Sequence, residues 1–101
     1  MERNKTEYRL APQALEDMES VWLYSLTQWG LEQTEQYIDR LKNTFLLLTE
    51  NPKAGIFCEH IRKGYLRYFV NRHVIYYRET EHGIEIIRVL HDRMLASQHC
   101  L

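Results

Sequence analysis

The order of periodicities along the chain predicts an α+β domain, β-α-α-β-β-β, with a helical hairpin packed on a small antiparallel sheet. Three observations carry this. Residues 12–50 repeat apolar positions at helical spacing, interrupted only at Gly30. After Gly55 the pattern changes to stretches rich in β-branched and aromatic residues. Short turn-forming sequences divide that region into three strands.

Taken in order, "YRL" forms a short first strand with Tyr8 and Leu10 on one side, ended by Pro12. Pro12 opens the first helix, where its missing N–H costs nothing. Ala14, Leu15, Met18, Val21, Trp22 and Ser25 make one apolar or small stripe along it. Gly30 ends the helix, because glycine takes the left-handed conformation a helix terminus often needs. The second helix, Leu31–Glu50, contains no Gly or Pro, and its stripe is Thr34, Ile38, Leu41, Phe45 and Leu48. These alternate steps of four and three, the spacing of a helix lying along another helix. Asn51-Pro52 stops it. "GYLRYFV" and "HVIYYRE" are then two strands joined by a tight Asn71-Arg72 turn, and "EHG" leads into a third, "IEIIRVL". That last strand is apolar on both faces, with Ile84, Ile86 and Leu90 expected on one and Ile87 and Val89 on the other. It is therefore expected inside the sheet, buried on both sides.

A chain of 101 residues supports one domain, 1–101, and buries about 60–65% of its unfolded surface. With 45% hydrophobic and 27% charged residues it has the composition of a globular protein, and no apolar run approaches a membrane span. "MERNKTEYRL" is polar, so export is not indicated and a cytoplasmic location is expected. Cys58 and Cys100 suggest neither a disulfide framework nor a metal site, and the five histidines, His60, His73, His82, His91 and His99, show no metal-ligand spacing. No cofactor is expected. The net charge of −1 hides an asymmetry. Residues 1–61 carry six Lys/Arg against ten Asp/Glu, whereas residues 62–93 carry seven against four, nearly all arginine. The guanidinium fork suits carboxylate and phosphate alike, so an anionic partner is expected. The pI near 6.5 argues against a protein living on nucleic-acid backbone, and direct specific nucleic-acid binding is not expected.

Four stretches, in order and over nearly the whole chain, resemble the ParE branch of the RelE/ParE toxin superfamily. They are "APQALEDMESVWLYSLTQWG", "QTEQYIDRLKNTFLLLTENPKAG", "IRKGYLRYFVNRHVIYYRE" and "IIRVLHDRM". The resemblance implies the toxin of a bacterial type II toxin–antitoxin pair. ParE-like members poison DNA gyrase by trapping it on cleaved DNA, and a ParD-like antitoxin holds them inactive. RelE-like cousins share the fold but cleave mRNA on the ribosome, so fold alone does not choose between the two. A third possibility is a non-toxic module that only binds its antitoxin.

A ribonuclease needs a base, an acid and cations for the phosphorane charge. Arg62, Arg88, His91 and Arg93 would supply them, with Tyr76, Tyr77 or His73 stacking on a base. A gyrase inhibitor needs no catalytic residue. Arg88 interrupts an apolar strand, so it either pairs with a carboxylate or faces a partner, since an unpaired buried guanidinium is too costly. Trp29, Arg62, Arg67, Arg72, Arg78 and Arg88 are the expected antitoxin contacts. Arg93 and the tail residues Met94, Leu95, His99 and Leu101 are the expected gyrase contacts.

Overall fold

A computed structural model describes residues 7–93. Its elements are β1 (Glu7–Leu10), α1 (Pro12–Trp29), α2 (Leu31–Glu50), a 3-10 turn (Pro52–Ala54), β2 (Ile56–Phe57), β3 (Tyr65–Val70), β4 (His73–Thr80) and β5 (Gly83–His91). The predicted α+β architecture and element order are present, with the two-residue β2 added at one edge. The five strands lie in the order β1-β5-β4-β3-β2. β2 through β5 pair antiparallel, and β1 runs parallel to β5, so the meander carries one parallel edge strand.

Both helices pack on one face of this sheet. Leu41, Phe45 and Leu48 of α2 are fully buried against Ile75, Tyr77, Ile84 and Ile86. On α1 the buried positions are Ala14, Val21 and Ser25, with Met18 and Trp22 half-buried against the core. Leu15, expected on the same stripe, is instead exposed, because the packed face is centred on Ala14, Val21 and Ser25. Gly30 joins the helices at φ +90°, and its N–H donates to the Leu26 carbonyl. The other face of the sheet carries a smaller cluster of Cys58, Tyr65, Val74, Tyr76 and Leu90, with Ile61 and Ile87 packed against it.

The expected alternation along β5 fails halfway. Tyr76 pairs with Arg88 but Tyr77 pairs with Ile86, so Ile87 is an extra residue in a β-bulge. Past the bulge the faces exchange. Val89 joins Ile84 and Ile86 in the core under the helices, and Leu90 joins Ile87 on the opposite side. β5 is inside the sheet as expected, between β1 and β4.

Tyr77 ties the link after α2 to the sheet. Its buried hydroxyl donates to the Pro52 carbonyl at 2.7 Å and accepts from the Gly55 N–H at 2.9 Å. A Cβ at Gly55 would sit 2.6 Å from both that hydroxyl and the Arg67 carbonyl, so the Asn51–Gly55 stretch needs its glycine for close approach. Tyr77→Phe leaves two backbone groups without this partner and is expected to cost about 1–3 kcal/mol in urea unfolding. An unchanged midpoint would show that water replaces the hydroxyl.

Candidate functional site

β1 ends at Leu10 opposite Ile86, so β5 runs beyond its strand partner on that side. Asp17 of α1 takes over there. Its Oδ2 accepts the Val89 N–H at 2.9 Å, and both carboxylate oxygens receive the Arg88 guanidinium, at 2.7 and 3.0 Å. Each of these side chains is only 13% exposed. The Asp17 hydrogen bonds raise the Arg88 pKa above its ordinary value, against partial burial. Arg88 thus has its carboxylate within the chain.

Beyond Arg88, a cleft opens between the C-terminal half of α1, the N-terminal half of α2 and the β3–β4 turn. It measures about 480 Å³. His73 and His91, cross-strand partners on β4 and β5, form its floor with ring centroids 5.5 Å apart. Tyr37 of α2 lies over His73, its hydroxyl 2.6 Å from Nδ1 and 3.3 Å from the Val70 carbonyl. Burial pushes the Tyr37 hydroxyl up to about 12, with the Arg40 charge opposing and Asp92 adding to the rise. Burial, and then the His91 charge, pull His73 down to about 4, with Asp92 opposing. His73 is therefore a neutral ring near pH 7. His91 Nδ1 lies 3.0 Å from Asp92 Oδ1 and 3.2 Å from the Arg93 backbone N. One nitrogen cannot serve both, so it accepts from Arg93 when bare and donates to Asp92 when protonated.

The walls add Trp29 and Tyr24 of α1, Arg40 of α2, and Arg72 and Arg93. Trp29 stands edge-on to Tyr37 at 6.1 Å. Arg72 bonds Asp92 at 3.0 Å, and Arg40 bonds the Asn71 side-chain oxygen at 3.3 Å. Tyr24, His73, His91 and Arg93 also line an adjoining cleft of about 450 Å³ that reaches Asp17 and Arg88. A separate groove of about 480 Å³ on the outside of the helical hairpin is walled by Leu15, Met18, Trp22, Leu23 and Ile38.

The candidates named from sequence are thus dispersed. Trp29, Arg72, His91 and Arg93 meet at the main cleft, and Arg88 reaches only the adjoining one. Arg62 stands over the Tyr65 ring at 5.8 Å, Arg67 over Phe69 at 5.7 Å, and Arg78 pairs with Glu85 at 2.8 Å. Tyr76 and Tyr77 are buried. Met94, Leu95, His99, Cys100 and Leu101 lie outside the described residues. No group of three metal-ligating side chains occurs among the described residues, and none of their helices is long and apolar enough to cross a membrane. The sequence reading missed Tyr24, Tyr37 and Arg40 as site residues. Gln33, Gln36, Tyr37 and Arg40 recur at helical spacing beside the apolar stripe of α2, and that was the available signal.

A pH dependence follows from His73. Its folded pKa, about 4, lies below the ordinary 6.5, so the unfolded chain takes up the proton first. Stability present above that ordinary value drains as pH falls through this window. His73→Gln is expected to flatten that part of the stability–pH curve, read by urea unfolding from pH 7 to 4. An equally steep curve in the variant would place the titration elsewhere.

The family model described as "ParE toxin of type II toxin-antitoxin system, parDE" matches residues 8–96. Toxin ParE1 of Mycobacterium tuberculosis (strain CDC 1551 / Oshkosh) is 37% identical over 90 residues, covering 88% of this chain and 92% of the relative. Toxin ParE1 of Caulobacter vibrioides is 40% identical over 92 residues, covering 91% and 95%. Among solved structures, a chain of the chromosomal ParDE TA system from P. aeruginosa superposes with a TM-score of 0.73 at 15% identity. That likeness, over 86% of this chain and 96% of the other, is one of fold.

Proposed function

The chain belongs to the ParE toxin family of type II toxin–antitoxin systems, and from that membership we propose that it poisons DNA gyrase in the cytoplasm by trapping its cleavage complex. The observation carrying this is the family match across residues 8–96, from the first strand past the end of β5. The protein acts by binding. It must bind the DNA-cleaved state of gyrase better than the resealed state, since equal affinity for both would accumulate no breaks. Arg93 and residues 94–101 form the gyrase contact.

A ParD-like antitoxin neutralises it. Two surfaces support this part of the reading. The apolar groove walled by Leu15, Trp22, Leu23 and Ile38 suits the apolar face of an amphipathic helix. Trp29, 49% exposed, and the arginines of the sheet suit an acidic segment. Among those arginines Arg88 acts indirectly, by holding α1 to β5 through Asp17.

The ribonuclease reading is favoured by one observation, the facing His73 and His91 rings beside Arg93. Against it, Arg88 is spent on Asp17 and Arg62 lines neither cleft. Expression without antitoxin separates the two. A gyrase poison raises chromosomal breaks while incorporation of labelled amino acids continues through the first generation. Incorporation that stops within minutes, without breaks, would replace the gyrase reading with mRNA cleavage. Cells that grow normally would leave antitoxin binding as the only activity.

A further inference from the structure

The main cleft has an unusual charge balance. Among the residues lining it are three guanidiniums, Arg40, Arg72 and Arg93, and no carboxylate. Asp92, just outside, engages Arg72 and His91. Arg40 is held by a neutral amide, and the Arg93 side chain has no ion-pair partner among the described residues. Among the described residues, Arg40 and Arg93 thus line a concave space with no carboxylate paired to either, a condition that favours holding an anion.

The rest of the wall narrows the anion's class. Trp29 and Tyr24 are 49% and 60% exposed at the mouth, so each offers an aromatic face. Aromatic faces beside guanidiniums are the elements that proteins use to stack a base and hold its phosphate. Gln33 and Gln36 add side-chain amides that both donate to and accept from a base edge. A volume of about 480 Å³ is in the range of small-ligand sites.

We infer that this cleft binds a nucleotide, its phosphate between Arg40 and Arg93 and its base against Trp29 or Tyr24. The source is either a free mononucleotide or one unpaired strand of nucleic acid. The pI near 6.5 spoke against nucleic-acid binding only for the surface as a whole. Arg40 comes from the acidic half of the sequence and reaches the arginine-rich half only through folding. The site is sequence-tolerant, because stacking and phosphate contacts carry little base discrimination. It shares Trp29 and Arg72 with the surface offered to antitoxin and Arg93 with the proposed gyrase contact, so a bound antitoxin excludes the nucleotide and gyrase competes with it for Arg93.

The test uses the purified chain without gyrase, so its failure leaves the gyrase reading standing. Trp22→Phe isolates Trp29 as the fluorescent reporter, since Trp22 lines the separate apolar groove. This protein is titrated with AMP, an eight-residue oligothymidylate, inorganic phosphate and an acidic octapeptide. Nucleotide-dependent quenching of Trp29, weakened by salt, is expected. Arg40→Gln and Arg93→Gln are each expected to weaken it about tenfold, the effect of losing one charge-assisted contact, with unchanged melting. Equal binding of AMP and oligothymidylate identifies the free nucleotide. Binding of the oligomer alone identifies a strand. Absence of quenching, or nucleotide binding that both arginine variants retain, overturns the inference. Inorganic phosphate binding as tightly as AMP removes the base-stacking part, and preferential binding of the acidic peptide reassigns the cleft to a carboxylate partner.

Discussion

Asp17→Ala is expected to destabilise the fold by about 3–5 kcal/mol, the cost of stranding one partner of a largely buried ion pair. The substitution removes three hydrogen bonds at once, two from Arg88 and one from the Val89 N–H. It also leaves the Arg88 guanidinium without the carboxylate it is hydrogen-bonded to, with only the more distant charge of Glu16 nearby. Against a total of roughly 5–15 kcal/mol for a domain, this is a large fraction. Asp17→Asn separates the contributions, because the amide oxygen still accepts from Val89 while the charge is gone, and it should lose less. Replacing both partners by apolar residues should recover much of the loss, since the pair's net worth is far smaller than the penalty of breaking it. Urea midpoints for the four proteins make the comparison. Equal midpoints for wild type and Asp17→Ala would mean that Arg88 escapes to solvent and that the pair does not fasten α1.

Phe45→Ala should cost a similar amount, about 3–5 kcal/mol, for a different reason. Phe45 is fully buried at the centre of the helix–sheet interface, and its ring meets Tyr8 edge-on at 5.2 Å. The cavity would lie between α2 and the strand that β5 holds in parallel, so neighbouring side chains cannot collapse into it without moving β1. In thermal melting the loss corresponds to a drop on the order of 20 °C. A variant that melts with wild type would show that the α2 register is not the one described. Because Asp17 and Phe45 act through different neighbours, their effects should add.

These two residues also mark what the sequence could and could not say. The α2 stripe is legible because five positions at steps of four and three allow only one buried face, and Phe45 is among them. The α1 stripe was less clear, as Leu15 and Leu23 lengthen the apolar pattern on a face that the helix turns toward solvent. The bulge at Ile87 was not legible at all. Nothing in "IEIIRVL" marks an extra residue, and strict alternation placed Val89 and Leu90 on the wrong faces. Arg88 was recognised as needing a carboxylate, but Asp17 lies 71 residues away, a separation that periodicity cannot bridge. The cleft was half visible: His91, Arg93, Arg72 and Trp29 were named, whereas Tyr37, Arg40 and Tyr24 join them only through the hairpin's packing on the sheet.

Purified gyrase, supercoiled plasmid and ATP, mixed with the protein and then denatured before electrophoresis, test the proposed activity most directly. Linear plasmid that appears only when both proteins are present, and disappears when the cognate antitoxin is added first, is the predicted result. Plasmid that stays intact with a preparation that still arrests cells would contradict gyrase poisoning.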